Sequence, residues 1–109
     1  LNIIPGKVVP FGQIKEKIPH IGWNEIYPES KKGWDKTLFQ SIRPNTDVYF
    51  VHSYVFKPKD RKNILALTKY GNFEFCSAIK NGNIYGCQFH PEKSGELGLK
   101  IIGNFIKSI

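Results

Sequence analysis

The hydrophobic pattern of this chain changes period at His90-Pro91-Glu92, and that change constrains the fold more than any other feature. Upstream lie four apolar runs of strand length: Asp47 to Phe56, Ile64 to Tyr70, Phe73 to Ile79 and Ile84 to Phe89. They are rich in the β-branched and aromatic residues that fit a pleated surface. Downstream, Leu97, Ile101, Phe105 and Ile109 recur every four residues, with Ile102 and Ile106 widening the stripe. This spacing predicts an amphipathic helix from about Gly95 to the end. Ser94 is placed to cap it, and Glu96 sits in the first turn, where the helix dipole favours a carboxylate.

The first third reads differently. Pro5, Gly6, Pro10, Gly12, Pro19, Gly22, Pro28 and Gly33 divide it into short extended pieces, with strands expected at Lys7 to Phe11 and Trp23 to Tyr27. Trp34, Leu38 and Ile42 share one face of a predicted short helix closed by Pro44. The run from Asp47 to Phe56 predicts a single strand buried on both faces for much of its length. Asn81-Gly82 between two apolar runs is a hairpin signal, because both residues tolerate positive φ.

A length of 109 residues fits one domain and one core. No apolar stretch approaches the roughly 20 residues of a membrane span, and no basic-then-apolar leader opens the chain. The opening Leu-Asn-Ile-Ile-Pro and the absence of Met read as a piece of a longer protein. A net charge of +7, from 16 Lys plus Arg against nine Asp plus Glu, raises the question of an anionic partner. The cations are scattered, however, and the densest group, Lys57, Lys59, Arg61 and Lys62, lacks interleaved aromatics. A solvated surface is expected, with no nucleic acid and no membrane as partner. Cys76 and Cys87 each lie within an apolar run and are expected as buried free thiols in a reducing, cytoplasmic setting. His20, His52 and His90 are far apart in sequence and no metal-ligand spacing occurs, so neither a metal nor a cofactor is expected.

The segment Tyr85-Gly-Cys-Gln-Phe-His-Pro-Glu-Lys93 carries the chemistry. It is a strand whose end presents His90 and Glu92, two apart and therefore on one side of an extended backbone. A carboxylate beside an imidazole accepts its Nδ1 hydrogen, fixes the tautomer and leaves Nε2 as a general base. On spacing alone, a strand-end histidine is more often a structural or surface residue.

Gln-Phe-His-Pro-Glu at residues 88–92, on a strand before a closing helix, resembles the hallmark of class I glutamine amidotransferases. Within that class, Pro19-His-Ile-Gly-Trp-Asn24, Tyr49-Phe-Val-His-Ser-Tyr54 and the extension to Lys93-Ser94 are similar, in the same order, to glutaminase subunits of imidazole glycerol phosphate synthases. The resemblance extends across essentially the whole chain. It implies an α/β, flavodoxin-like fold, of which residues 1–109 are the carboxy-terminal part of a single domain, rich in strands and ending in the helix. It also implies a Cys-His-Glu triad in which His90 is the base and Glu92 its orienting group. Ser53 and Tyr54 fall where such enzymes hold the α-carboxylate of glutamine through backbone N–H groups. His20, Trp23, Asn24 and Lys93 fall at the mouth of the site, facing a (β/α)8-barrel cyclase. His52 is expected to stabilise the strand and loop.

The nucleophile elbow of that family, a Gly-x-Cys-x-Gly turn, is not present, and neither Cys76 nor Cys87 lies between glycines at a strand-to-helix turn. The expected nucleophile and oxyanion loop therefore lie upstream, and this chain alone is expected to be inactive. For the complete protein, the resemblance implies glutamine hydrolysis that supplies ammonia to the cyclase in histidine biosynthesis. Two other readings are a paralogue feeding a surface-sugar synthase and a non-catalytic basic binding module.

Overall fold

A computed structural model of the chain describes residues 6–11, 20–29, 34, 37, 39, 42–43, 45–82 and 84–108. Among the described residues seven strands occur in chain order: β1 (Gly6–Pro10), β2 (His20–Pro28), β3 (Thr46–His52), β4 (Tyr54–Pro58), β5 (Ile64–Tyr70), β6 (Phe73–Asn81) and β7 (Ile84–Cys87). A 3-10 turn at Pro91–Lys93 leads into the helix α1 (Gly95–Ser108). The strands lie in one sheet in the order β1-β4-β6-β5-β2-β3, with β7 also pairing with β6, and every pairing is antiparallel. The described part is thus a sheet closed by one carboxy-terminal helix, as the change of period predicts.

Three differences from the sequence reading have local causes. The expected strand Asp47 to Phe56 is two strands interrupted at Ser53. β3 pairs with β2 while β4 pairs with β1 and β6, so the chain changes neighbours at the break. β3 is also not buried on both faces: Val48, Phe50 and His52 point inward while Asp47 and Val51 are exposed, the alternation of a one-sided strand. The hairpin turns one residue later than expected, because Asn81 still pairs with Ile84; Gly82 takes the positive φ, +62°. Most of the helix predicted over residues 34–42 lies outside the described residues. Within it, Trp34, Phe39 and Ile42 are buried.

The core is predominantly aromatic. Phe11 and Phe50 each meet Phe75 edge to face, and Phe89 packs edge-on against Phe50, the geometry that ring quadrupoles favour. Ile26, Val48 and Val55 fill between them, and Ile101 seats α1 on the cluster with Leu97 alongside. Further along the predicted stripe Phe105 and Ile106 are exposed, and Phe105 lies edge-on to Tyr85 at the margin of this core. The two thiols are free; Cys76 is buried and Cys87 half-buried. Arg61 pairs with Glu29 and Lys62 with Asp60 at the surface. Among the described residues no helix is long and apolar enough to cross a membrane.

Candidate functional site

His90 follows β7 at the point where the chain leaves the sheet. Its backbone is in the extended region, and Pro91 then starts the 3-10 turn. The ring is fixed by Glu92: His90 Nδ1 lies 2.9 Å from Glu92 Oε1. Because a carboxylate only accepts, Nδ1 carries the hydrogen and Nε2 keeps its lone pair in the neutral ring. Both side chains are substantially exposed, 40% and 57%, so Nε2 is accessible to a group brought from outside. The Glu92 carboxyl is held below the ordinary carboxylate range by its own backbone N–H, then by the His90 ring, with Lys93 adding to the effect. It is a stable anion at neutral pH, suited to accept from the ring.

The backbone of this turn is anchored to β3 at one residue. His90 N–H donates to the Tyr49 carbonyl at 2.9 Å, and Tyr49 N–H donates to Ser94 Oγ at 3.0 Å. Ser94 in turn donates its hydroxyl hydrogen to the His90 carbonyl at 2.7 Å. The Ser94 side chain, expected as a helix cap, instead ties the His90–Glu92 turn to the sheet; its carbonyl accepts Gly98 N–H at 3.3 Å.

The other site candidates divide by the alternation of β2. Ile21, Trp23 and Glu25 are exposed, opposite Val51, Tyr49 and Asp47 of β3. Trp23 is 56% exposed, its ring edge-on to Tyr49, so it is not a core residue of this chain. Lys93 is exposed as well. His20, expected to face a partner, is buried instead, and the half-buried Asn24 reaches inward to the Lys69 carbonyl at 2.8 Å. Both stand an even number of residues from Ile26, on the core face of the strand. Ser53 is half-buried and Tyr54 is 57% exposed.

Behind this surface lies a group that spacing did not reveal. His20 Nδ1 is 3.0 Å from His52 Nε2, and His52 Nδ1 is 3.0 Å from the Tyr54 carbonyl. His20 and His52 are opposite each other in the β2–β3 register, a relation that appears only once two strands 32 residues apart are paired. Burial and the neighbouring His52 lower the His20 ring to about 4. Burial is also the main cause lowering His52, with His90 acting in the same direction and the Tyr54 carbonyl opposing. Both imidazoles are neutral at pH 7. The Cys76 and Cys87 thiols are pushed up to about 12, chiefly by burial, the opposite of an activated nucleophile. Among the described residues no three His, Cys, Asp or Glu side chains could hold a metal ion.

Residues 3–109 match the family Glutamine amidotransferase class-I. The chain is 46% identical to imidazole glycerol phosphate synthase subunit HisH 1 of Legionella pneumophila (strain Paris), over 98% of this chain and 53% of that protein. It is 48% identical to subunit HisH of Methanocaldococcus jannaschii, over 98% and 51%, and 42% identical to that of Chlorobaculum tepidum, over 96% and 50%. The chain therefore spans about half the length of the curated relatives it matches. With the match running almost from end to end, the chain belongs to the class I glutamine amidotransferases.

Proposed function

We propose that the protein carrying this chain hydrolyses glutamine to glutamate and ammonia, as the glutaminase subunit of an imidazole glycerol phosphate synthase. The observation that carries the reading is the His90–Glu92 pair at a strand end, with Nδ1 committed to the carboxylate and Nε2 open. In this reading the nucleophilic cysteine and the oxyanion donors come from sequence outside residues 1–109. His90 Nε2 takes the thiol proton, and the thiolate attacks the carboxamide carbon of glutamine. As the tetrahedral intermediate collapses, the C–N bond breaks and the His90 imidazolium returns the proton to the departing ammonia, leaving a thioester. Water, deprotonated by the same imidazole, then attacks the thioester. Glutamate leaves and the thiol is restored. Glu92 keeps the ring in one tautomer and stabilises its charged form in both halves of the cycle.

Ser53 and Tyr54 hold the α-carboxylate of glutamine through backbone N–H groups. Trp23 and Lys93, on the exposed side, face a (β/α)8-barrel cyclase that uses the ammonia in histidine biosynthesis in the cytoplasm; His20 and Asn24 support that face from behind. The relatives named above are synthase subunits, which favours the histidine pathway over a surface-sugar acceptor.

The test is His90→Ala in the complete protein with its cyclase. Glutaminase turnover should fall by at least about two orders of magnitude, the usual contribution of a positioned general base. Turnover close to wild type would remove the triad assignment.

A further inference from the structure

The connection between β4 and β5 lies beside the tip of the β6–β7 hairpin. Asn63, buried at the end of the 3-10 turn Arg61–Asn63, donates its side-chain amide to the Lys80 carbonyl at 2.9 Å. Lys59, Asp60, Arg61, Lys62, Asn63 and Asn81 line one open cleft. The fold therefore places the densest cationic group of the chain next to its one Asn-Gly dipeptide, Asn81-Gly82. Cations exceed anions in this group: Arg61 is paired with Glu29 and Lys62 with Asp60, and Lys59 adds a positive charge. Asn81 and Gly82 are both exposed. Asn81 makes the last ladder pair, with Ile84, and Gly82 follows at a φ of +62°. The Gly82 nitrogen thus lies beyond the paired ladder, and no side chain on its own residue shields it. The other seven asparagines precede Ile, Glu, Thr or Phe, whose side chains crowd the following backbone nitrogen.

We propose that Asn81 is a self-modification site, converted to aspartate and isoaspartate by attack of the Gly82 backbone nitrogen, with the cations of the β4–β5 connection promoting the step. Hydroxide or water removes the Gly82 amide proton, and the nitrogen attacks the carbonyl carbon of the Asn81 side chain. The new C–N bond closes a five-membered succinimide as the bond to the side-chain nitrogen breaks. That nitrogen takes a proton from water and leaves as ammonia. A water molecule then adds to either ring carbonyl and opens it, giving aspartate at one and isoaspartate, with the chain running through Cβ, at the other. The net change is one water taken up and one ammonia released. Negative charge develops first on the nitrogen and then on the oxygen of the tetrahedral intermediate, and the surplus of positive charge in the cleft lowers the energy of both. The carboxylate produced stays beside the same cations.

Incubation of the complete protein at mildly alkaline pH, followed by digestion and mass mapping, reads each asparagine of residues 1–109 separately. Residue 81 should convert first, at least about tenfold faster than any of the other seven, because glycine alone leaves the attacking nitrogen open. The peptide holding residue 81 should also accept a methyl group from protein isoaspartate methyltransferase, which marks passage through the succinimide. Lys59 and Lys62 are exposed, and their joint replacement, Lys59→Gln with Lys62→Gln, should slow the conversion by about threefold or more, through loss of two nearby positive charges. Added salt should slow the wild-type protein in the same sense, and this measurement decides the role of the cations if the double variant does not fold. Faster conversion at another asparagine, aspartate without isoaspartate at residue 81, or a rate indifferent both to the lysine replacements and to salt overturns the proposal.

Discussion

Tyr49 and Ser94 are joined by a single hydrogen bond, 3.0 Å from backbone nitrogen to hydroxyl oxygen, across a sequence separation of 45 residues. Through it the helix entrance is tied to β3, and the same hydroxyl reaches the carbonyl of His90. Ser94 is 2% exposed, so no water replaces the hydroxyl at once if it is removed.

Ser94→Ala should therefore destabilise the complete protein by about 1 to 3 kcal/mol, the cost of leaving a buried N–H without its partner. Glutaminase turnover should fall with it, since the His90 backbone loses one of its two ties to the Tyr49 region. Denaturant midpoints and steady-state assays read the two effects. An unchanged midpoint would show that the hydroxyl is dispensable.

Two glycines of α1 should respond to alanine with opposite signs. In an open helix Gly→Ala gains up to about 1 kcal/mol, and a Cβ on Gly103 meets nothing within 4 Å. Gly103→Ala should stabilise by about that amount. A Cβ on Gly98 would run into the carbonyl of Pro91 and the Ser94 side chain, so α1 or the His90–Glu92 turn must move. Gly98→Ala should cost at least about 2 kcal/mol, on the scale of core overpacking, and should lower turnover. Thermal midpoints of the two variants, compared side by side, check both signs.

The neutral imidazole pair makes stability depend on pH. Unfolded histidines titrate near 6.5, while in the fold His20 is lowered to about 4 and His52 is lowered too. Between these limits the unfolded chain binds more protons, so stability is full above about pH 6.5 and falls as pH drops towards 4. The groups facing the pair are the Tyr70 ring, the Asn24 amide and, near His52, His90. None is an anion that would stabilise a proton there. The expected loss is on the order of 2 to 3 kcal/mol between pH 7 and pH 4. Denaturant midpoints across that range should slope downwards on acidification, and a His20→Gln variant should flatten the slope. A flat wild-type profile would contradict the neutral state of the buried pair.

Much of this site was legible because its parts are local. His90 and Glu92 are two apart at the end of an apolar run, so their meeting needs only an extended backbone, and the helix beyond needs only its four-residue stripe. The break at Ser53 was not legible, since DVYFVHSYVF is continuously apolar and aromatic apart from Asp47, His52 and Ser53, and what ends β3 is a change of pairing partners. The His20–His52 contact depends on the β2–β3 register, which is set by the pairing of both strands and not by either run alone. Its one sequence trace is that each histidine sits at the end of an extended, apolar segment. His20 was expected at an interface for the same reason: the motif Pro19 to Asn24 does not state which of its residues face inward until the strand's phase is known.

The thiols of this chain are predicted to take no part in the chemistry. Cys76 Sγ donates to the Ala78 carbonyl at 3.2 Å, and both thiols are pushed up to about 12. At pH 7 both therefore stay protonated, whereas attack on glutamine requires a thiolate. Replacing both by alanine removes little volume, so the double variant of the complete protein should fold and keep glutaminase turnover within about threefold of wild type. Native alkylation with iodoacetamide should likewise leave both unlabelled while activity is lost through a cysteine outside residues 1–109. A double variant that folds with wild-type stability but releases no ammonia would place the nucleophile in β6 or β7, and His90 would then have to be approached from within this sheet.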